Sequence, residues 1–107
     1  MIIEYIRYTI EENKQSEFEA AYARASVPLI AFTQCQAYEL SHCVEEPQRY
    51  ILRIVWDSLE SHMKGFRGSP EFRDFFSHIR PYIENIEEMQ HYELTTVVGK
   101  KANESHA

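Results

Sequence analysis

The chain has 107 residues, 44% of them hydrophobic, and a formal charge of -6. That length suits one domain with a real core, yet leaves enough surface outside that a further interface would help it. The acidic balance argues against nucleic acid, which needs a basic patch, and against an anionic membrane surface.

No apolar run is long enough to span a bilayer. The opening Met1-Ile2-Ile3-Glu4-Tyr5 has no positive leader and does not read as a signal peptide. Cys35 and Cys43 fit no metal or redox spacing. On one strand they would stand roughly 26 Å apart at strand rise, too far to pair. A reduced, cytoplasmic setting is the expectation.

Residues Ile2 to Ile10 read as a strand rich in β-branched and aromatic types. Ile2, Ile6, Tyr8 and Ile10 share one side; Ile3, Tyr5, Arg7 and Thr9 share the other. Both sides are largely apolar, which predicts a central strand covered on both faces. After the polar joint Glu11-Glu12-Asn13-Lys14, the spacing of Phe18, Tyr22, Ala25 and Leu29 predicts a helix. Pro28 should kink or end it.

Cys35 to Val44 predicts a second strand, Glu45-Glu46-Pro47-Gln48 a turn, and Arg49 to Trp56 a third strand, paired as an antiparallel hairpin. Asp57 and Glu60 have capping-box spacing and predict a helix whose buried stripe is Leu59, Met63 and Phe66. Ser69-Pro70 restarts a helix, with Ser as cap and Pro in its first turn. Phe72, Phe75, Phe76 and Ile79 form its apolar stripe, and Pro81 interrupts it. Met89 to Val98 predicts the last strand. Residues 1–98 would form the domain, and the polar end 99–107 a disordered tail.

The predicted order is β-α-β-β-α-β, an α+β ferredoxin-like unit with a four-stranded antiparallel sheet. Its helices would cover one face. A second copy of the sheet would cover the other, giving a two-fold dimeric α/β barrel. On that dimer face the alternation places Arg7, Arg53, Glu39, Glu93 and His91, with Arg7 expected near Glu93 and Arg53 near Glu39. Buried charges are normally paired, so these would form an ionic lattice fixing register or dimer.

Three stretches resemble the antibiotic biosynthesis monooxygenase (ABM) family. They are Ile6-Arg7-Tyr8-Thr9-Ile10, Cys35-Gln36-Ala37-Tyr38-Glu39-Leu40, and Trp56-Asp57-Ser58-Leu59-Glu60-Ser61-His62 followed by Ser69-Pro70-Glu71-Phe72. The second is similar to the family's "C-x-G-Y-x-L" strand with Ala37 for Gly. The third resembles its "W-x-S-x-E-A" junction and "S-P-x-F" restart. Gly65-Phe66-Arg67 through Glu93 is similar to a branch whose domains occur fused or adjacent to truncated globins. That implies a truncated-globin association and a link to haem or oxygen chemistry.

The resemblance implies a cofactor-independent monooxygenase that holds a phenol or quinol in an apolar pocket and lets its anion meet oxygen. Such chemistry needs a base and dry aromatic walls. Tyr8, Tyr22, Trp56 and Phe66 are the candidate walls, and His62 the candidate base, since histidine is most easily tuned near neutral pH. The bland alternative makes the aromatics core and leaves His62 in solvent. The sequence departs from the family pattern where many members carry a histidine; Gly65 stands there. The resemblance implies that haem-degrading relatives have an Asn, a Trp and a haem-ligand His where this chain has Ile6, Gly65 or Phe66, and Phe76, and His78 falls off the ligand face. This keeps a second reading open, a non-catalytic accessory or ligand-binding dimer module linked to haem or globin chemistry. A filled core without a cavity would favour that module.

His78 and His91 rank below His62 as catalysts, and His42 is expected exposed at a sheet edge. No histidine pair has His-x-His or HExxH spacing, so no metal centre is expected. Tyr5, Arg7 and Tyr8, or Tyr50 and Arg53, could suggest base stacking on a sheet, but the RNA-recognition glycine-aromatic pattern is absent.

Overall fold

The computed structural model describes residues 1–102, apart from the side chains of Ser61 and His62. The elements are β1 (Ile2–Thr9), α1 (Gln15–Ala31), β2 (Cys35–His42), β3 (Arg49–Trp56), α2 (Pro70–Ile79) and β4 (Ile86–Glu93). Short 3-10 turns cover Glu12–Lys14 and Arg80–Asn85, and a π-helical segment covers Ser61–Phe66. The four strands form one antiparallel sheet in the order β2-β3-β1-β4. This is the expected α+β ferredoxin-like arrangement, with β1 central.

Alternation along the strands sorts the sheet into two faces. On the inner face Ile6, Tyr8, Tyr50, Leu52, Ile54 and Trp56 are buried, and they pack with Phe18, Ala21, Tyr22, Ala25 and Leu29 of α1 and with Phe75 and Ile79 of α2. Phe18 is fully buried, with its ring centroid 4.9 Å from Tyr8, 5.2 Å from Tyr22, 4.9 Å from Tyr50 and 5.1 Å from Tyr82. All four contacts are edge-on, the arrangement that sets a positive ring edge against a negative face.

Several boundaries differ from expectation. Pro28 neither ends nor breaks α1; it is buried inside a helix that continues to Ala31. Burial of Ala25 and Leu29 on either side of it holds the winding together. β4 begins and ends earlier than Met89–Val98, because its pairing with β1 runs from Ile86 to Glu93. Ile2 pairs with Glu93 and Leu94 N–H donates to Met1 O at 3.0 Å, and among the described residues the β4 pairing ends there. Val97 and Val98 are accordingly exposed.

The segment after Trp56 departs most. Over Ser61–Phe66 the winding is π rather than α, so its bonds span five residues instead of four. The expected stripe therefore does not line up: Phe66 is 2% exposed, while Leu59 and Met63 are 46% and 44% exposed. α2 starts as its sequence demands. Ser69 Oγ accepts from Phe72 N–H at 3.1 Å, and Pro70 occupies the first turn, where a missing donor costs nothing.

On the outer face, Arg53 meets Glu39 at 3.3 Å as expected. Arg7 instead meets Glu88 at 2.7 Å, because the β1–β4 register sets Arg7 opposite Glu88 and leaves Glu93 at the far end beside Ile2. His91 and Glu93 lie on the helix-covered face, since that register pairs them with Glu4 and Ile2. Of the tail, 103–107 lie outside the described residues; 99–102 are exposed and irregular. Among the described residues, no helix is long and apolar enough to cross a membrane. Cys35 and Cys43 are free thiols.

Candidate active site

A cavity of about 440 Å³ opens between the inner face and α2. Its sheet side is built by Ile6, Tyr8, Ile54 and Met89, and its helix side by Phe66, Phe72, Phe75, Phe76 and Ile79. The i, i+3, i+4, i+7 spacing from Phe72 makes this wall: Phe75 and Ile79 turn fully into the core, while Phe72 and Phe76 remain half-buried beside the space. Two charged residues interrupt the apolar lining, Glu4 and Arg67. A wider hollow of about 620 Å³ near Thr9, Gln15, Pro47 and Arg49 lacks such aromatic walls and holds no buried acid.

Glu4 occupies an inner-face position on β1, between Ile2 and Ile6, and is 1% exposed. Trp56 donates its indole N–H to Glu4 Oε1 at 3.1 Å. His91 stands directly across from Glu4 on β4, with Nε2 at 3.7 Å from Glu4 Oε2. Burial pushes the Glu4 carboxyl up to about 7, partly countered by the Trp56 hydrogen bond and by the positive charge of Arg67. Burial also lowers the His91 imidazole below its ordinary value, and Arg67 adds to that. Both groups are thus pushed toward their neutral forms.

The expected walls divide. Tyr8 and Phe66 line the cavity. Tyr22 sits behind Tyr8, their hydroxyls hydrogen-bonded to each other, and burial raises both phenols, Tyr8 to about 12. Trp56 is fully buried and supports Glu4 rather than lining the space. The side chain of His62, the expected base, lies outside the described residues. Of the other histidines, His78 pairs with Asp74 within α2 at 3.2 Å, and His42 is exposed and stacked on Tyr50 with ring centroids 4.1 Å apart. Among the described residues, no three His, Cys, Asp or Glu side chains converge as metal ligands.

Glu4 is the residue that sequence reasoning passed over. Its signal was present: among Ile2, Ile6, Tyr8 and Ile10 it is the one ionisable carboxylate on an otherwise apolar side, and such an acid is seldom buried without a partner. Arg67 and the α2 phenylalanines as cavity lining were also missed, because their convergence depends on how α2 sits over the sheet.

The four-stranded antiparallel sheet with its two helices defines the class as an α+β ferredoxin-like fold. Residues 1–77 match the family model for antibiotic biosynthesis monooxygenase, and the chain belongs to that family. The chain is similar to a Bordetella bronchiseptica protein of the same family description, with 26% identity, coverage of 88% of this chain and 96% of that one, and a TM-score of 0.72. It shares its fold with a mutant of SnoaB, a cofactor-independent oxygenase of Streptomyces nogalater, at 15% identity, covering 92% and 97% of the two chains, TM-score 0.76. The uncharacterized protein YczJ of Bacillus subtilis is 29% identical over 93 residues, 87% of this chain and 98% of that protein.

Proposed function

We propose that this chain is a cofactor-independent monooxygenase that oxidises a phenolic or quinol small molecule in the cavity under α2. The observation that carries the reading is the cavity itself, about 440 Å³ with a mostly apolar aromatic lining and an acid in its wall. That volume suits a small aromatic ligand. The cavity speaks against an accessory module with a filled core, and turnover is what separates an enzyme from a module that only binds its ligand. In the reaction the ring gains one oxygen atom and loses two hydrogens. The second oxygen atom leaves as water carrying both hydrogens, and the substrate supplies all four electrons. The base needed to ionise the hydroxyl is His62 or a cavity acid. Tyr8 and Phe66 hold the ring, and Tyr22 and Trp56 support them from behind.

The working unit of this reading is a two-fold dimer built on the outer face. Support comes from Tyr5, Ile51 and Tyr92, which share that face and keep accessible surface in the single chain. The test is turnover of a panel of phenols and quinols under isotopically labelled oxygen. One labelled atom in the organic product, without hydrogen peroxide, is the expected result. Absence of oxygen uptake across the panel, or peroxide in amounts equal to the product, would overturn the reading.

A further inference from the structure

We infer that Arg67 sets the substrate class of this cavity: an aromatic acid, whose ring lies under α2 and whose carboxylate meets the Arg67 guanidinium at the rim. The inference rests on the reading above and narrows its phenol or quinol to one that carries an acidic side group.

The depth of the lining carries it. Glu4, Tyr8 and Ile54 are buried and form the floor, whereas Arg67, Ile83 and Met89 are exposed and form the rim. That rim is apolar except for one fixed positive charge, because arginine keeps its proton at any working pH. The ligand it fits is a flat apolar body with a negative end. A carboxylate that went to the floor instead would lose its water and lie beside the buried acid Glu4. At the rim it avoids both costs.

The backbone of Arg67 is held in place. On one side Phe66 is buried, with its ring centroid 5.1 Å from that of Trp56 and 5.3 Å from that of Phe72. On the other side Ser69 closes the turn: its backbone N–H and its Oγ–H both donate to Phe66 O, at 2.9 Å and 2.6 Å. Arg67 therefore projects from a hydrogen-bonded turn between two buried residues, and its side chain alone is left to adjust. Arg7, Arg49 and Arg53 each close on a glutamate within 3.3 Å. Among the described residues Arg67 forms no such ion pair, so its planar fork remains for a ligand, and that fork matches the two oxygens of a carboxylate. Burial is the first influence on Glu4 and His91, but the Arg67 charge acts on both, so its field extends from the rim to the floor.

The probe is 4-hydroxyphenylacetate, compared with its methyl ester and with tyramine. The three share one phenol ring, and their side groups are negative, neutral and positive. Calorimetric titration at neutral pH should give the acid an affinity about fivefold above that of the ester, with tyramine the weakest. Added salt should narrow that gap. Arg67→Gln should remove the advantage of the acid, and Arg67→Lys, which keeps the charge without the fork, should retain part of it. Equal binding of acid and ester by the wild type, an advantage that survives Arg67→Gln, or binding of none of the three would overturn the assignment. So would an equal loss of acid and ester in Arg67→Gln, which would place Arg67 at the hydroxyl end of the ligand. The titration needs no turnover, so the two readings fail separately. Labelled oxygen entering uncharged phenols without any preference for the acid would sink the rim site alone. A preference for the acid without oxygen uptake on any phenol would sink the oxygenase reading alone.

Discussion

Glu4 and His91 stand opposite each other across β1 and β4, on the helix-covered face, with carboxylate oxygen and imidazole nitrogen 3.7 Å apart. The distance suggests an ion pair, but burial raises the acid and lowers the base. Desolvation disfavours the charged form of each group.

The raised Glu4 carboxyl has a measurable effect on stability. The folded Glu4 binds its proton up to about 7, against 4.5 for an ordinary glutamate. Between those values the folded state holds more protons than the unfolded state, so stability falls as pH rises through the window. The loss amounts to about 3 kcal/mol. His91 acts in the opposite sense at lower pH, since its depressed value costs stability as pH falls below that of free histidine. Urea unfolding of wild type and Glu4→Gln should give similar stabilities near pH 4.5, with the variant pulling ahead as pH rises to 7 and above. Parallel curves across the range would show that Glu4 ionises normally.

Phe18→Ala should cost about 3–5 kcal/mol. The fully buried ring touches four tyrosines edge-on, so its removal leaves a cavity that none of them can fill without losing its own contacts. A shift of the urea midpoint with an unchanged slope is the expected result. A cost under about 1 kcal/mol would mean that the cluster collapses freely.

Ser69→Ala should cost about 1 kcal/mol through loss of the α2 cap. Because α2 carries Phe72, Phe75 and Phe76 into the cavity wall, probe affinity should weaken along with stability. Thermal unfolding and probe titration on the same sample separate the two effects.

Light scattering at micromolar concentration should give twice the chain mass. Ile51→Glu, at a part-exposed position on the outer face opposite Arg7, should shift the population to monomer. A monomeric wild type would remove the dimer from the proposal.

Haem added with a reductant should keep its Soret absorption. Ile6 and Phe76 line the cavity with hydrocarbon where haem degraders place polar or ligating groups. Appearance of a tetrapyrrole product would contradict this.

The β2–β3 hairpin and the Ser69 cap were legible in the sequence because each depends on local chemistry, a short polar turn in one case and a hydroxyl three residues before its N–H in the other. Arg53 and Glu39 were legible for the same reason, since a hairpin fixes its own register. Arg7 was assigned the wrong partner because β1 and β4 are far apart in sequence, and their register depends on where the chain starts pairing. Leu59, Met63 and Phe66 fit α spacing on paper, and nothing in those residue types announces a π turn. Of the cavity lining, Tyr8 and Phe66 were singled out by their type. Glu4 was overlooked although the period-two alternation had placed it among apolar neighbours.

The π-helical segment has a consequence for descent. A π turn contains one residue more than the α turn it replaces. Removing one residue from 61–66 would therefore shorten the turn to ordinary α winding and leave the residues on either side on the faces they hold now. A single in-frame codon loss at that edge would change which residue types the turn carries while the sheet and α2 stay in place.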